Sequence, residues 1–208
     1  KFLVKKNYKK FFLSRRNSKN KNHIQFDIND INHHQLKIGK IKNIIFCQRS
    51  RINDPILDYK TMIVNPVKFI KSQLKNLLPK SSIIFIGSSA QKFVYKEQNA
   101  FYHASRGSIY SLTKYLSYEL GKKDIRVNCI IPSTLIKKEN SSFYKVHKNR
   151  KNLEKLIPNK TMVNSKNIAQ LCLFLCSNNS IGINGEIINV DNGLFSISQE
   201  TIMKDLSS

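Results

Sequence analysis

The chain has few acidic residues for its number of basic ones. Its 208 residues include 13 Asp and Glu against 36 Lys and Arg, which gives a net charge of +23. Such a charge would ordinarily indicate a nucleic acid or an anionic membrane as partner, because clustered cations displace counterions from phosphates. The basic residues are dispersed over nearly every segment, however, and no basic recognition motif interleaved with aromatic residues occurs. We interpret the charge as a compositional drift towards Lys, Asn and Ile, and expect no specific nucleic-acid partner.

Cysteine is scarce as well. The chain has Cys47, Cys129, Cys172 and Cys176, with no Cys-x-x-Cys pair and no His at ligand spacing. Cys172 and Cys176 share a helix face, but they are better interpreted as small apolar core residues than as metal ligands. We predict no metal site and a reducing, cytoplasmic environment.

Long apolar runs are also lacking. No run reaches the ~18 residues that a membrane-spanning helix requires, and the start of the chain lacks the apolar core of a signal peptide. We expect a soluble protein with no membrane partner. A chain of 208 residues that is 40% apolar is long enough for one substantial core, so residues 1–208 are predicted to form a single domain.

Short apolar runs alternate with amphipathic segments along the chain. Strands are predicted at residues 11–14, 24–27, 44–47, 83–86, 125–131 and 186–190. The continuous runs at 44–47 and 83–86 are typical of parallel strands covered on both faces. Helices are predicted at residues 58–78, 102–120 and 167–176. This alternation predicts an α/β sheet with crossover connections.

The ends of the predicted helices carry recognisable signals. In the first, Pro66 marks a kink or a start near Asn65, and Pro79 follows the end as a stop. Gly121 is well placed as the C-terminal cap of the second helix, and Ser165 as the N-cap of the third.

One stretch of the chain combines groups that can carry chemistry. Ser88 and Ser89 follow a predicted strand, and Tyr102-His-Ala-Ser-Arg106 places a phenol thirteen residues after Ser89. Residues i and i+4 lie ~5–6 Å apart on one helix face, so Tyr102 and Arg106 can point into the same site. The arrangement is an acid with a cation beside it.

Several motifs in order resemble those of the short-chain dehydrogenase/reductase family. Residues 83–89 resemble the strand that ends in the family's Ser, and Tyr102 to Arg106 resemble its Tyr-x-x-x-Lys helix. Residues 125–132 resemble the strand that leads to its Pro-Gly turn. Residues 168–177 and 183–193 resemble its closing helix, strand and Asp-Gly-Gly turn. The match extends from about Phe11 to about Phe195. The resemblance implies a Rossmann-type, doubly wound parallel sheet and an enzyme that transfers a hydride between a nicotinamide cofactor and a carbonyl or alcohol.

The resemblance also implies roles for individual residues. Tyr102 would be the general acid or base, and a neighbouring cation would lower its pKa from the usual ~10. Ser89 would hydrogen-bond and orient the substrate oxygen. Asn65 falls where the family places the Asn that holds a proton-relay water. Arg106 stands in place of the family's Lys, which both acts on the Tyr and binds the cofactor ribose; Arg keeps the charge but changes the geometry.

Further positions are predicted to meet the cofactor. Asp27 and Pro132 follow or end predicted strands, and Cys47 and Gln48 begin Cys47-Gln-Arg-Ser50, where the family usually has Asn-Asn-Ala-Gly. The second strand ends in Ser14-Arg15-Arg16 with no acid. Because an acid at this place accepts the ribose 2′-hydroxyl whereas Arg accommodates a 2′-phosphate, Arg15 and Arg16 favour NADP(H), with NAD(H) possible.

The family's first strand and Gly-rich turn have no counterpart in this sequence. Residues 1–8 resemble the end of the helix after that turn, so the chain is expected to be N-terminally incomplete by ~25 to 30 residues. In the strand order 3-2-1-4-5-6, strand one lies between strands two and four. The strands at 11–14 and 24–27 should therefore lose their backbone connection to the other four.

Three interpretations of function stay open. The first is an NADP(H)-dependent oxidoreductase acting on a small carbonyl or alcohol, and the second a catalytically impaired relative that serves as a scaffold or sensor. The third, motivated by charge alone, is a basic nucleic-acid-binding protein. The resemblance further implies a homodimer or homotetramer. Residues 133–159, polar and rich in Lys, could be a substrate-side loop.

Overall fold

A computed structural model of the chain describes residues 11–15, 19–30, 36, 38–49, 54–135, 142 and 148–207. Arg16 and residues 1–8, about which the sequence makes predictions, lie outside these ranges, as does most of the segment 136–147. The strands are β1 Phe12–Ser14, β2 His23–Gln25, β3 Ile41–Phe46, β4 Leu77–Ile86, β5 Ile125–Pro132 and β6 Ile187–Val190. The helices are α1 Pro55–Tyr59, α2 Asn65–Gln73, α3 Ala100–Gly121, α4 Lys148–Leu156, α5 Ser165–Leu175 and α6 Gln199–Ser207.

All six strands run parallel to their neighbours, but they form two separate sheets. One contains β1 and β2, and the other has the order β3-β4-β5-β6. Among the described residues β1 and β3 share no ladder, so the expected loss of a backbone connection between these two groups of strands is confirmed. The small sheet packs against the core of the large one. Leu13 and Phe26 lie against the main core, and the Phe26 and Phe69 rings are 5.6 Å apart.

The centre of the large sheet is covered on both faces. In β4 and β5, Ile83, Phe85 and Val127 pack on the side of α2 and α3, whereas Ile84 and Ile130 pack on the side of α5. Because successive residues of a strand point to opposite faces, a continuous apolar run is what a doubly covered strand requires. The predicted α/β architecture with crossover helices is confirmed. In the described part of the chain, no helix combines the length and apolar character that crossing a bilayer demands.

Two polar residues of β5 fasten the loop that precedes β6. The Arg126 guanidinium donates to the carbonyl oxygens of Leu175, Ser177 and Ile183, at 2.8, 3.3 and 3.1 Å. Asn128 donates to Ile183 O and accepts from the backbone N–H of Glu186, both at 2.9 Å. Arg126 and Asn128 therefore provide hydrogen-bond partners for buried backbone groups and have a structural role.

The first long helix differs from its predicted bounds of 58–78. It begins earlier, at Pro55, where the Asp54 side chain accepts from Ile56 N and Leu57 N. It continues through a π-helical segment, Lys60–Val64, into α2. The alternative of a helix start near Asn65 is therefore wrong, because the helical backbone continues through Val64 into α2. The wider π turn precedes Pro66, which has no N–H to donate.

The predicted end of that helix is wrong. Leu77 and the two residues after it belong to β4, and Leu77 pairs with Ile41 of β3. Apolar residues such as Leu77 fit a helical stripe and a buried strand equally well, and the partner strand decides between them. At α5 the cap is Asn164, one residue before the predicted Ser165, because Asn164 forms a reciprocal capping box with Asn167.

Candidate active site

Tyr102 lies in the first turn of α3, where its position is fixed by a cap. The side chain of Asn99 accepts from the backbone N–H of Tyr102 at 2.8 Å, which satisfies one of the free donors of the helix start. The Tyr102 hydroxyl reaches Ser88, to whose Oγ it donates at 3.5 Å. Ser88 lies two residues beyond the end of β4, after Gly87, so the segment that leaves this central strand and the start of α3 together position the phenol.

The two adjacent serines face different tyrosines. Ser88 lies beside Tyr102 and also accepts from Ala90 N at 3.2 Å, capping the short 3₁₀ helix Ser89–Gln91. Ser89 is buried, and its Oγ lies 2.6 Å from the Tyr95 hydroxyl. Ser89, the residue predicted to orient the substrate, is thus paired with a tyrosine that sequence reasoning did not single out. Ser88 is the serine in contact with Tyr102.

Tyr95 is held in place by its backbone as well as its hydroxyl. Its N–H donates to Nε2 of His103 at 2.9 Å, and Nδ1 of His103 lies 2.9 Å from the carbonyl oxygen of Asn99. Because Nε2 accepts from the Tyr95 N–H, Nδ1 is the ring nitrogen placed to donate to the Asn99 carbonyl. The loop between β4 and α3 is therefore fastened to the first turn of α3.

Arg106 is buried and ion-paired. Its Nη2 lies 3.3 Å from Oδ1 of Asp58 in α1, and the exposed fractions of the two side chains are 3% and 10%. Its Nη1 donates to Ser105 Oγ at 3.3 Å, while the same hydroxyl donates to Oδ2 of Asp58 at 2.5 Å. The Arg106 Cζ also lies 4.3 Å from the centroid of the Tyr102 ring. The predicted proximity of Tyr102 and Arg106 is confirmed, and Asp58 is a partner that the sequence did not reveal.

The surroundings of Tyr102 favour its ionised form. Burial is the largest influence and by itself raises the pKa of this phenol. The hydrogen bond with Ser88, the charge and hydrogen bond of Arg106, and the more distant charge of Arg49 act in the opposite direction, so the net pKa lies below the usual 10.0. Arg49 is exposed, with its Cζ 6.0 Å from the ring centroid. A phenol tuned in this way can exchange protons more readily near neutral pH.

Asn65 lies in a separate polar cluster. Its Nδ2 donates to Oδ1 of Asn29 at 2.9 Å, and the Thr61 hydroxyl donates to the same oxygen at 2.9 Å. Asn65 is buried at the junction of the π segment and α2. No direct hydrogen bond joins it to Tyr102 among the described residues.

The residues predicted to meet the cofactor lie where strands end. Arg15 follows β1, Asp27 lies two residues beyond β2, Cys47 and Gln48 follow β3, and Pro132 is the last residue of β5. Within each of the two sheets the strands are parallel, so the strand ends of that sheet lie along its carboxyl edge, the edge that binds ligands in open α/β folds. Asp27 Oδ1 accepts from Asn29 N at 2.9 Å, and Gln48 Nε2 donates to Thr61 O at 3.3 Å.

Groups available to a polar ligand remain at the carboxyl edges of the two sheets. Arg15 and Arg49 are exposed guanidinium groups that suit phosphate or carboxylate oxygens. Both polar atoms of the Gln91 side chain are buried and have no hydrogen-bond partner within the described ranges. Such a group ordinarily has a partner. The donor set therefore fits a ligand rich in phosphate and hydroxyl groups, such as a nicotinamide dinucleotide. For the described residues, no cluster of His, Cys, Asp and Glu is arranged to hold a metal ion.

Comparison with known proteins decides the family. A family model described as enoyl-(acyl carrier protein) reductase matches residues 59–195, which is more than half of the chain. The chain belongs to the short-chain dehydrogenase/reductase family. Solved structures of the family share its fold. A short-chain dehydrogenase from Francisella tularensis has a TM-score of 0.71 at 24% identity, with 89% of this chain and 86% of that one covered.

The sequence relatives that this chain matches include proteins named as reductases. The NADH-dependent enoyl-acyl-carrier-protein reductase of Buchnera aphidicola is 28% identical over 166 residues, covering 74% of this chain and 63% of the relative. A tropinone reductase homologue from Datura stramonium is 34% identical over 116 residues, covering 54% of this chain and 43% of the relative. The chain thus spans less than two thirds of these relatives. A gluconate 5-dehydrogenase from Burkholderia cenocepacia, solved with NADP and tartrate, has a TM-score of 0.68 at 19% identity, covering 85% and 76% of the two chains.

Proposed function

We propose that this protein is an NADP(H)-dependent oxidoreductase that interconverts a carbonyl and an alcohol, with Tyr102 as its proton donor and acceptor. The observation that carries the proposal is the placement of Tyr102. Its hydroxyl contacts Ser88, its ring contacts the Arg106 guanidinium, and its pKa is lowered by these neighbours. A half-buried phenol with two such partners at the carboxyl edge of a parallel sheet suits proton transfer to a reacting oxygen.

Each residue of the site would have a distinct part in the reduction. The bound nicotinamide would supply a hydride to the carbonyl carbon. As negative charge develops on the carbonyl oxygen, Tyr102 donates its hydroxyl proton to that oxygen, and Ser88 donates a hydrogen bond to it. The resulting Tyr102 phenolate is stabilised by the charge of Arg106 and, from further away, of Arg49, until water returns the proton.

The geometry favours Ser88 over Ser89 as the serine that meets the substrate. Ser88 contacts Tyr102, whereas Ser89 is committed to Tyr95 at 2.6 Å. The sequence had suggested Ser89 from its spacing to Tyr102. If Ser89 served the substrate, it would first have to release Tyr95, and the loop before α3 would lose one of its anchors.

The preference for NADP(H) rests on the end of β1. Arg15 is an exposed cation there and can meet a ribose 2′-phosphate, whereas no acid follows the strand to accept a 2′-hydroxyl. The Buchnera relative is named for NADH. A comparison of KM for NADPH and NADH decides between the cofactors, and a clear preference for NADH overturns this part of the proposal.

The activity is tested by following NADPH oxidation with purified protein. The substrate panel contains ketones, keto sugars and 2-enoyl thioesters, the last because of the matched reductases. We expect Tyr102→Phe to lower kcat at least ~100-fold, the range usual for loss of a general acid. Tyr59→Phe, at an exposed tyrosine of α1, is the matched control and should change neither kcat nor KM. Ser88→Ala should lower kcat/KM more than Ser89→Ala. Equal activity of Tyr102→Phe and the unmutated protein would refute the assignment.

One observation favours a second candidate, a relative that binds the cofactor without turnover. The Arg106 guanidinium is buried in an ion pair with Asp58, so it is not free to bind a ribose hydroxyl as the family's Lys does. Dinucleotide binding detected by calorimetry, combined with no turnover for either the natural protein or Arg106→Lys, would support a sensor or scaffold.

The family resemblance supports a homodimer or homotetramer whose subunits meet through the helices that carry Asn65 and Tyr102. On α3, Tyr110, Tyr115 and Tyr118 expose 45%, 63% and 68% of their surface. Aromatic side chains are enriched at protein interfaces. We propose that α3 contributes to the contact between subunits.

A further inference from the structure

Arg106 occupies a place unlike that of a ligand-binding cation. Its side chain is almost wholly buried and lies between a carboxylate of α1 and the ring of Tyr102 on its own helix. An isolated charge in such a place is strongly disfavoured, because it loses its hydration. The location of the guanidinium therefore depends on the group that compensates it.

Asp58 provides that compensation through both of its oxygens. Oδ1 pairs with Arg106 Nη2 at 3.3 Å, and Oδ2 accepts from Ser105 Oγ at 2.5 Å. Ser105 in turn accepts from Arg106 Nη1 at 3.3 Å. The three side chains form a closed ring of contacts between α1 and α3 in which every member is buried.

We propose that Asp58 is a positioning residue of this site, which together with Ser105 holds the Arg106 guanidinium against the Tyr102 ring. Arg106 then acts on Tyr102 from inside the protein and not by contact with a ligand. The importance of this placement for catalysis rests on the proposed function. The placement itself is a property of the free protein and can be measured without cofactor or substrate.

Removal of the Asp58 charge should change the pKa of Tyr102 differently, depending on whether Asp58 positions Arg106. If Asp58 positions Arg106, the uncompensated guanidinium leaves its buried place, the cation moves away from Tyr102, and the pKa of the phenol rises. If Arg106 stays where it is without Asp58, only a nearby negative charge is lost and the pKa of Tyr102 falls or stays the same. The direction of the change therefore decides the question.

The experiment is a titration of Tyr102 by NMR in the full chain labelled with ¹³C at the tyrosine Cζ. The Tyr102 signal is assigned by its loss in Tyr102→Phe. We expect Asp58→Asn to move the titration midpoint to higher pH, in the same direction as Arg106→Gln, and Asp58→Glu to restore most of the shift. Glu119→Gln, which removes an exposed carboxylate paired with Lys122 near the other end of α3, is the matched control and should not move the midpoint.

The double variant Asp58→Asn/Arg106→Gln tests whether Asp58 acts through Arg106. If it does, the titration midpoint of the double variant is no higher than that of Arg106→Gln alone, because no guanidinium is left for the loss of Asp58 to displace. Additive shifts, or a lower midpoint in Asp58→Asn, overturn the proposal. If circular dichroism shows that Asp58→Asn is unfolded, Ser105→Ala takes its place, since the Ser105 hydroxyl contacts both partners. A midpoint in Ser105→Ala that does not rise counts equally against the proposal.

Discussion

The side-chain amide of Asn65 donates to Oδ1 of Asn29 at 2.9 Å. Asn29 lies just beyond β2, whereas Asn65 begins α2 on the large sheet, so the bond joins the two sheets. Thr61 donates to the same oxygen at 2.9 Å, which makes one side-chain carbonyl the acceptor for two donors of the long helix. Because β1 and β3 share no ladder among the described residues, side-chain contacts such as this cluster and the one between Phe26 and Phe69 attach the small sheet to that helix.

Loss of this acceptor should loosen the small sheet. Asn29→Ala leaves the Asn65 amide and the Thr61 hydroxyl without their partner, and an unsatisfied buried donor costs about 1–3 kcal/mol. We expect urea unfolding to show a loss of that size, with faster hydrogen exchange in Phe12–Ser14 and His23–Gln25. Asn179→Ala, at an exposed asparagine of the 3₁₀ helix after α5, should lose less than about 0.5 kcal/mol. Exchange in the small sheet that is unchanged by Asn29→Ala would show that packing alone holds it.

The pKa of Tyr102 predicts the pH dependence of the reaction in both directions. Reduction requires the protonated phenol, so kcat/KM for the ketone should fall as pH rises through the lowered pKa of Tyr102. Oxidation of the alcohol requires the phenolate and should rise over the same range. Arg106→Gln removes a cation that favours the phenolate, so both midpoints should move to higher pH. Full pH profiles of the two reactions measure this, and a reduction rate that increases with pH would contradict the role of Tyr102.

Patterns local in sequence predicted the strands and the proximity of Tyr102 to Arg106. Doubly covered strands are continuous apolar runs, and residues four apart share a helix face whatever the tertiary structure. The partner of Arg106 could not be predicted in this way, because Asp58 lies 48 residues earlier and has no motif of its own. The pair forms only when α1 packs against α3.

Ser88 and Ser89 show a second limit. Successive side chains of an extended strand point in opposite directions, so only the turn after β4 decides which hydroxyl faces Tyr102. Their spacing to Tyr102 differs by one residue, which sequence alone cannot resolve. The prediction that the first long helix continues past Leu77 was wrong for a similar reason. Leu77 belongs to a strand because it pairs with Ile41, and that pairing is not local in sequence.

Arg126 is a buried charge whose hydrogen-bond acceptors, within the described part of the chain, are backbone carbonyls. It lies in β5 and donates to Leu175 and Ser177 at the end of α5 and to Ile183 in the loop before β6. The C-terminal end of a helix carries a partial negative charge, which favours a cation there. Arg126 therefore serves as a cap for α5 supplied by a neighbouring strand.

Substitution of Arg126 should cost much more stability than substitution of an exposed arginine. Arg126→Met leaves three carbonyls without their charged donor, and hydrogen bonds to charged groups each contribute about 1.5–3 kcal/mol. Burial of the methionine side chain offsets part of this loss. We therefore expect the free energy of unfolding to fall by about 3 kcal/mol. Arg126→Lys should recover only part of it, because an ammonium cannot reproduce the planar fork that reaches three oxygens. Arg150→Met, which breaks a pair with Glu154 on the surface of α4, is the control and should cost less than about 1 kcal/mol. Urea unfolding followed by circular dichroism measures all three variants. Equal losses for Arg126→Met and Arg150→Met would show that water replaces the guanidinium at these carbonyls without penalty.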